Sequence, residues 1–91
     1  MKKLTEGIYF GSQAGVYNLL YVVELAVKLG YKLINADIRL LASQQKELTL
    51  PEEFIYLFED CERYLSVICP LGFYFGSTED GDYGVFAIDN D

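Results

Sequence analysis

The chain has 91 residues, of which 52% are hydrophobic and 15% aromatic, with a formal net charge of −7 and no His or Trp. That length holds one core, so residues 1–91 are expected to form a single domain, and so apolar a composition excludes a disordered tail. The acidic balance excludes general binding to nucleic acid or an anionic membrane, because both require a basic field.

The charge is split along the chain. Residues 1–46 carry six basic groups against three acidic ones, whereas residues 47–91 carry eleven acidic groups and only Arg63. The balances are +3 and −10, and such asymmetry points to an interaction surface. "MKKLTEG" supplies positive charge but no apolar stretch comes after it, so no signal peptide is expected. The longest apolar run contains Asn18, Glu24 and Lys28, too polar to span a bilayer. Together with two unpaired thiols this implies a cytoplasmic protein.

In chain order, "GIYFG" is a short aromatic and β-branched run bounded by glycines, hence a strand. Ser12 is placed to cap the next helix. Over residues 16–29 apolar side chains cover more than half the helical circumference and leave only Tyr17, Tyr21, Glu24 and Lys28 as a stripe. Glu24 and Lys28 have the order that favours an ion pair at i,i+4. A helix this apolar is enclosed in the domain or against a second copy, so self-association through residues 13–29 is expected. Gly30 ends it.

"YKLIN" predicts a second strand and so a right-handed β-α-β start. Asn35 can then cap a helix with Ile38, Leu41 and Ala42 inward, although an extended "KLINADIRLLA" is the alternative. Pro51, with Glu52 and Glu53 behind it, marks a helix start. Residues 52–68 carry the cleanest pattern: Phe54, Leu57, Phe58, Cys61, Tyr64, Leu65 and Ile68 share one face. Glu52, Glu53, Glu59, Asp60, Glu62 and Arg63 occupy the other. Pro70 stops the helix.

"GFYFGSTEDGDYGVFAI" reads as a hairpin with strands near 72–76 and 83–88. "GFYFGS" repeats "GIYFGS" of residues 7–12 at five of six positions, which predicts two strands of one sheet with Tyr9 and Tyr74 facing the same way. The plan is α+β, in the order β-α-β-α-α-β-β. One sheet of three to four strands with a C-terminal hairpin would pack on two or three helices.

The chemistry of sites is sparse. Without His the commonest general base, the His-dependent triads and the usual zinc set are missing. Cys61 and Cys69 lie about 12 Å apart along one helix, too far for a disulfide. Cys61 falls mid-stripe on the apolar face, where a thiol is inert. Glu79, Asp80 and Asp82 crowd the "TEDGDYG" turn but miss the EF-hand spacing at Gly84. No metal, cofactor or catalytic residue is expected, and the chain reads as a non-enzyme.

The strand–turn–helix "GIYFGSQAGVYNLL" can present backbone N–H groups to a phosphate. It resembles the opening of flavodoxins, where an "IFFGS-x-TG-x-T"-like turn wraps the FMN phosphate, and "YGVFAIDND" resembles that family's last strand. The resemblance covers about a dozen residues and the tail. It implies a flavin or nucleotide phosphate held by Gly11, Ser12, Gln13 and Gly15. Ser12 and Gly15 match the motif, but Ala14 and Tyr17 stand where hydroxyl-bearing Thr is expected. The chain is also far shorter than a five-stranded flavodoxin needs.

The leading expectation is a small acidic interaction module that acts as an inhibitor or regulator. Glu52, Glu53, Glu59, Asp60, Glu62, Glu79, Asp80 and Asp82 would meet a basic, nucleic-acid-handling protein partner. The alternatives are the phosphate binder and a structural subunit of a larger assembly.

Overall fold

The structure is a computed structural model that describes residues 4–88. Lys2, Lys3, Asp89 and Asp91, which enter the charge split, lie outside the described residues. The elements are β1 (Gly7–Phe10), a 3-10 turn (Ser12–Ala14), α1 (Tyr17–Lys28), α2 (Asn35–Lys46), α3 (Glu52–Val67), β2 (Phe73–Ser77) and β3 (Tyr83–Ala87). The α+β class, the C-terminal hairpin and the three helices are as the sequence predicts.

The core arises from the two apolar periodicities. α1 buries Leu20, Val22, Val23 and Ala26, and α3 buries Phe54, Leu57, Phe58, Cys61 and Leu65. Phe75 and Val85 close the cluster from the sheet and Leu4 joins it. Each Leu, Val or Phe among them contributes roughly 1.5–3 kcal/mol when fully enclosed. α1 ends at Gly30, whose φ of +111° suits the left-handed exit. The Tyr64 hydroxyl of α3 donates to the Leu29 carbonyl at 2.9 Å and locks the two helix ends together.

That lock explains one departure. Residues 31–34 form no strand, because Tyr31 packs edge-on against Tyr64 with ring centroids 5.4 Å apart and the chain enters α2 at Asn35. The segment is therefore held on α3, away from the sheet, and the expected β-α-β start does not form. α2 is helical, but it buries Leu41 and Gln44, while Ile38 and Ala42 are exposed. Both ends of the buried Gln44 amide are bonded: its Oε1 accepts from Thr49 and Leu50 N–H, and its Nε2 donates to Thr49 Oγ1. It holds the turn in which Leu50 adopts a φ of 53°. Glu24 does not pair with Lys28, since its Oε2 accepts from Gln45 Nε2 of α2 at 2.8 Å.

The sheet order is β1-β3-β2, and both pairings are antiparallel. It is not the parallel sheet that a β-α-β start or the flavodoxin resemblance implies. The two copies of the repeated phrase share the sheet but are separated by β3. Their tyrosines also point opposite ways. Between Ile8 and Phe10 the register slips, so Tyr9 is the extra residue of a bulge. Tyr9 packs edge-on to Phe75 on the helix-covered face, whereas Tyr74 lies against Phe86 on the other.

Candidate functional site

The acidic side chains are positioned by two elements. On α3, helical spacing leaves Glu52, Glu53, Glu59 and Asp60 exposed and Glu62 half-buried. Glu52 accepts the Tyr56 hydroxyl at 2.6 Å, and Asp60 pairs with Arg63 at 3.1 Å. That is the only ion pair among the described residues, and it is exposed, so it adds little stability.

β2 is an edge strand, and α3 runs beside its open edge. The Phe75 N–H donates to Ser66 Oγ at 3.3 Å, which ties helix to strand at one end. Around that contact lies a cleft of about 510 Å³, lined by Glu59, Glu62, Arg63 and Ser66 from the helix and by Tyr74, Phe75 and Gly76 from the strand. Burial raises the Glu62 carboxyl above its usual range, and the neighbouring Glu59 carboxylate pushes it further. Tyr83 at the base of the hairpin is also raised, by burial first and then by Glu62. Two carboxylates thus share a cleft with a tyrosine and a strand edge, and the bonds that tie Glu52 and Asp60 do not extend to Glu59 or Glu62 among the described residues.

The hairpin turn satisfies itself. Thr78 N–H donates to the Asp82 carbonyl at 2.8 Å, Gly81 N–H to the Thr78 carbonyl at 3.0 Å, and Asp82 N–H to Thr78 Oγ1 at 3.2 Å. Glu79 and Asp80 are exposed at its tip. Asp82 turns the other way: its Oδ1 accepts the Ser12 N–H at 2.6 Å. Of the eight carboxylates, Glu59, Asp60 and Glu62 gather on one stretch of helix, Glu52 and Glu53 sit at its start, and Asp82 belongs to the β1–α1 turn.

That turn is built differently from the cap expected of Ser12. α1 begins at Tyr17 after Val16, with no side-chain cap, and Ser12 opens the separate 3-10 turn. Gly15 N–H donates to the Ser12 carbonyl and Ala14 N–H to the Gly11 carbonyl. Gln13 is exposed. The Ser12 N–H, which a bound phosphate would need, already serves the Asp82 carboxylate. Asn18 reinforces the arrangement: buried on α1, it donates through Nδ2 to the Gly11 carbonyl at 3.0 Å and reaches the Gly81 carbonyl at 3.5 Å. Sequence reasoning missed Asn18 as a staple between turn and hairpin. Its signal was an amide on an otherwise apolar helix face.

The thiols are quiet. Burial pushes Cys61 up to about 12, with Asp60 and Asp37 adding to the effect, and burial also raises Cys69, whose Sγ–H faces the Leu65 carbonyl at 3.2 Å. Among the described residues no group of three or more Cys, Asp or Glu side chains is placed to hold a metal ion. No helix among them is long and apolar enough to cross a membrane. Comparison with protein-family models, curated proteins and solved structures finds no significant match.

Proposed function

We propose that the protein is an acidic interaction module whose α3–β2 cleft receives a Lys- or Arg-bearing segment of a basic protein partner. The observation that carries this reading is the pairing of Glu59 and Glu62 beside Tyr74 at an open strand edge. Burial and the Glu59 carboxylate both raise the proton affinity of the Glu62 carboxyl, and a cation held beside it relieves that cost. The tyrosine ring adds a face on which such a cation can rest. An extended partner segment can also use the backbone groups of the β2 edge. The remaining carboxylates of α3 and the hairpin tip would speed encounter rather than add contact energy. An inhibitory or regulatory role, against a partner that handles nucleic acid, is the use such a surface suits. Phosphate binding at Gly11, Ser12, Gln13 and Gly15 has less support, because Asp82 already fills the anion position at Ser12.

Anisotropy titration of a fluorescent Lys/Arg-rich peptide tests the reading. The wild-type protein is expected to bind, and added salt to weaken binding, because exposed charges more than about 8 Å apart are screened at physiological ionic strength. Reversal of both charges, Glu59→Lys with Glu62→Lys, is expected to cost at least about tenfold in affinity. Equal affinity in wild type and double variant overturns the proposal.

A further inference from the structure

Arg63 is the one cationic side chain of residues 47–91, and it lines the acidic cleft. A cation there is a built-in competitor for the place that a partner's Lys or Arg would take. Its guanidinium has two carboxylates within reach along α3. Glu59 lies four residues before it, in the order that favours an ion pair, and Asp60 lies three residues before it. Asp60 wins: its Oδ1 accepts from Arg63 Nη1 at 3.1 Å, and no Glu59–Arg63 pair forms.

Helical geometry makes that choice matter. At about 100° per residue the side chains run round α3 in the order Glu62, Ser66, Glu59, Arg63, Asp60. Ser66 faces β2 through its bond to the Phe75 N–H, so Asp60 lies on the side of Arg63 away from the strand. The bond to Asp60 therefore draws the guanidinium off the cleft. The state of Glu62 agrees: burial and the Glu59 carboxylate raise its proton affinity, and no opposing pull from Arg63 is felt. The Arg63 and Asp60 side chains are 73% and 55% exposed, so packing does not hold the guanidinium in place and it can exchange partners.

We propose that Asp60 is a positioning residue that holds Arg63 away from Glu59 and so keeps the cleft open, a role that rests on the cleft being the partner's site. With Asp60 neutral, Arg63 turns to Glu59 and occupies the site from within. An exposed pair at this spacing shifts an equilibrium only about twofold, so Asp60 tunes affinity and is not an on–off switch.

A double-mutant cycle in the anisotropy titration tests this, with the same Lys/Arg-rich peptide at about 20 mM salt, where screening is weak. Arg63→Gln is expected to tighten binding and Asp60→Asn to weaken it. Charge effects that act independently would multiply, and Arg63→Gln would then give the same gain with or without Asp60. The proposal requires the gain to be about twofold larger in the Asp60→Asn background than in the wild type. Asp60→Glu keeps an acid three residues before Arg63 and is expected to restore the wild-type gain. At about 0.5 M salt the extra factor is expected to vanish. Equal gains in the two backgrounds, or weaker binding by Arg63→Gln, overturn the proposal and leave the cleft reading standing. Absence of binding by the wild type and every variant overturns the cleft reading itself, and this proposal with it.

Discussion

Two stretches of this chain, Gly7–Ser12 and Gly72–Ser77, are nearly the same hexapeptide and flank the same central strand, yet they are used in opposite ways. The second pairs with β3 in unbroken register and keeps strict alternation, with Phe75 inward and Tyr74 outward. The first bulges after Ile8, so Tyr9 and Phe10 both pack on the helix side, and its Gly-Ser end turns toward Asp82. Local propensity makes both strands. The contacts of each side chain depend on the strand lying opposite and on the residues after the Ser.

The largest effect is expected from the inward phenylalanines. Phe75→Ala removes a ring that is almost wholly buried and should cost about 3–5 kcal/mol in urea unfolding, whereas half-buried Phe10 should cost about half as much. Equal losses would mean that the bulge does not make the two copies inequivalent.

The glycines of β3 and β2 sharpen the contrast. A Cβ at Gly84 would run into the Gly7 carbonyl oxygen and come within 2.9 Å of Ile8 Cα, both backbone atoms of β1. Gly84→Ala should therefore cost about 3 kcal/mol and loosen β1 in hydrogen exchange. A Cβ at Gly76 meets only the Tyr74 ring, at 3.1 Å, and the ring can swing outward. Gly76→Ala should cost less than about 1 kcal/mol.

The carboxylates near each copy also have modest effects, and these differ in sign. Asp82→Ala loses the charge-assisted bond to Ser12 N–H and should destabilise by about 1–2 kcal/mol. Glu62 is the reverse case. Its folded carboxyl holds a proton more tightly than the ordinary 4.5, so its charge opposes folding at neutral pH. That opposition fades as pH falls through the raised value toward 4.5. Glu62→Gln should thus stabilise by less than about 1 kcal/mol at pH 7 and not at all near pH 4, read from urea midpoints at the two pH values. A destabilising Glu62→Gln at pH 7 would show that the cleft holds Glu62 by a favourable contact.

Much of the framework is legible in the sequence alone. The apolar arcs of residues 16–29 and 52–68 repeat at helical spacing, and Gly30, Pro51 and Pro70 bound them, so α1, α3 and the acidic outer face come from periodicity. The hairpin comes from its turn residues, and the burial of Cys61 from its place mid-stripe. These are local signals, read within one or two turns of the chain. α2 is harder to read, because its buried positions are Leu41 and an amide, Gln44, whose partners Thr49 and Leu50 lie in the next turn.

Tertiary structure decided the rest, because it concerns partners far apart in sequence. Whether "YKLIN" joined the sheet depended on Tyr64, more than thirty residues away, which drew Tyr31 to α3. Whether Ser12 offered its N–H to a ligand depended on Asp82, seventy residues on. Which carboxylates share a cleft depended on the open edge of β2 lying beside α3. A single sequence records the composition of each face. It does not record which faces meet, because that is set by long-range packing and by the burial and pairing of a few polar groups.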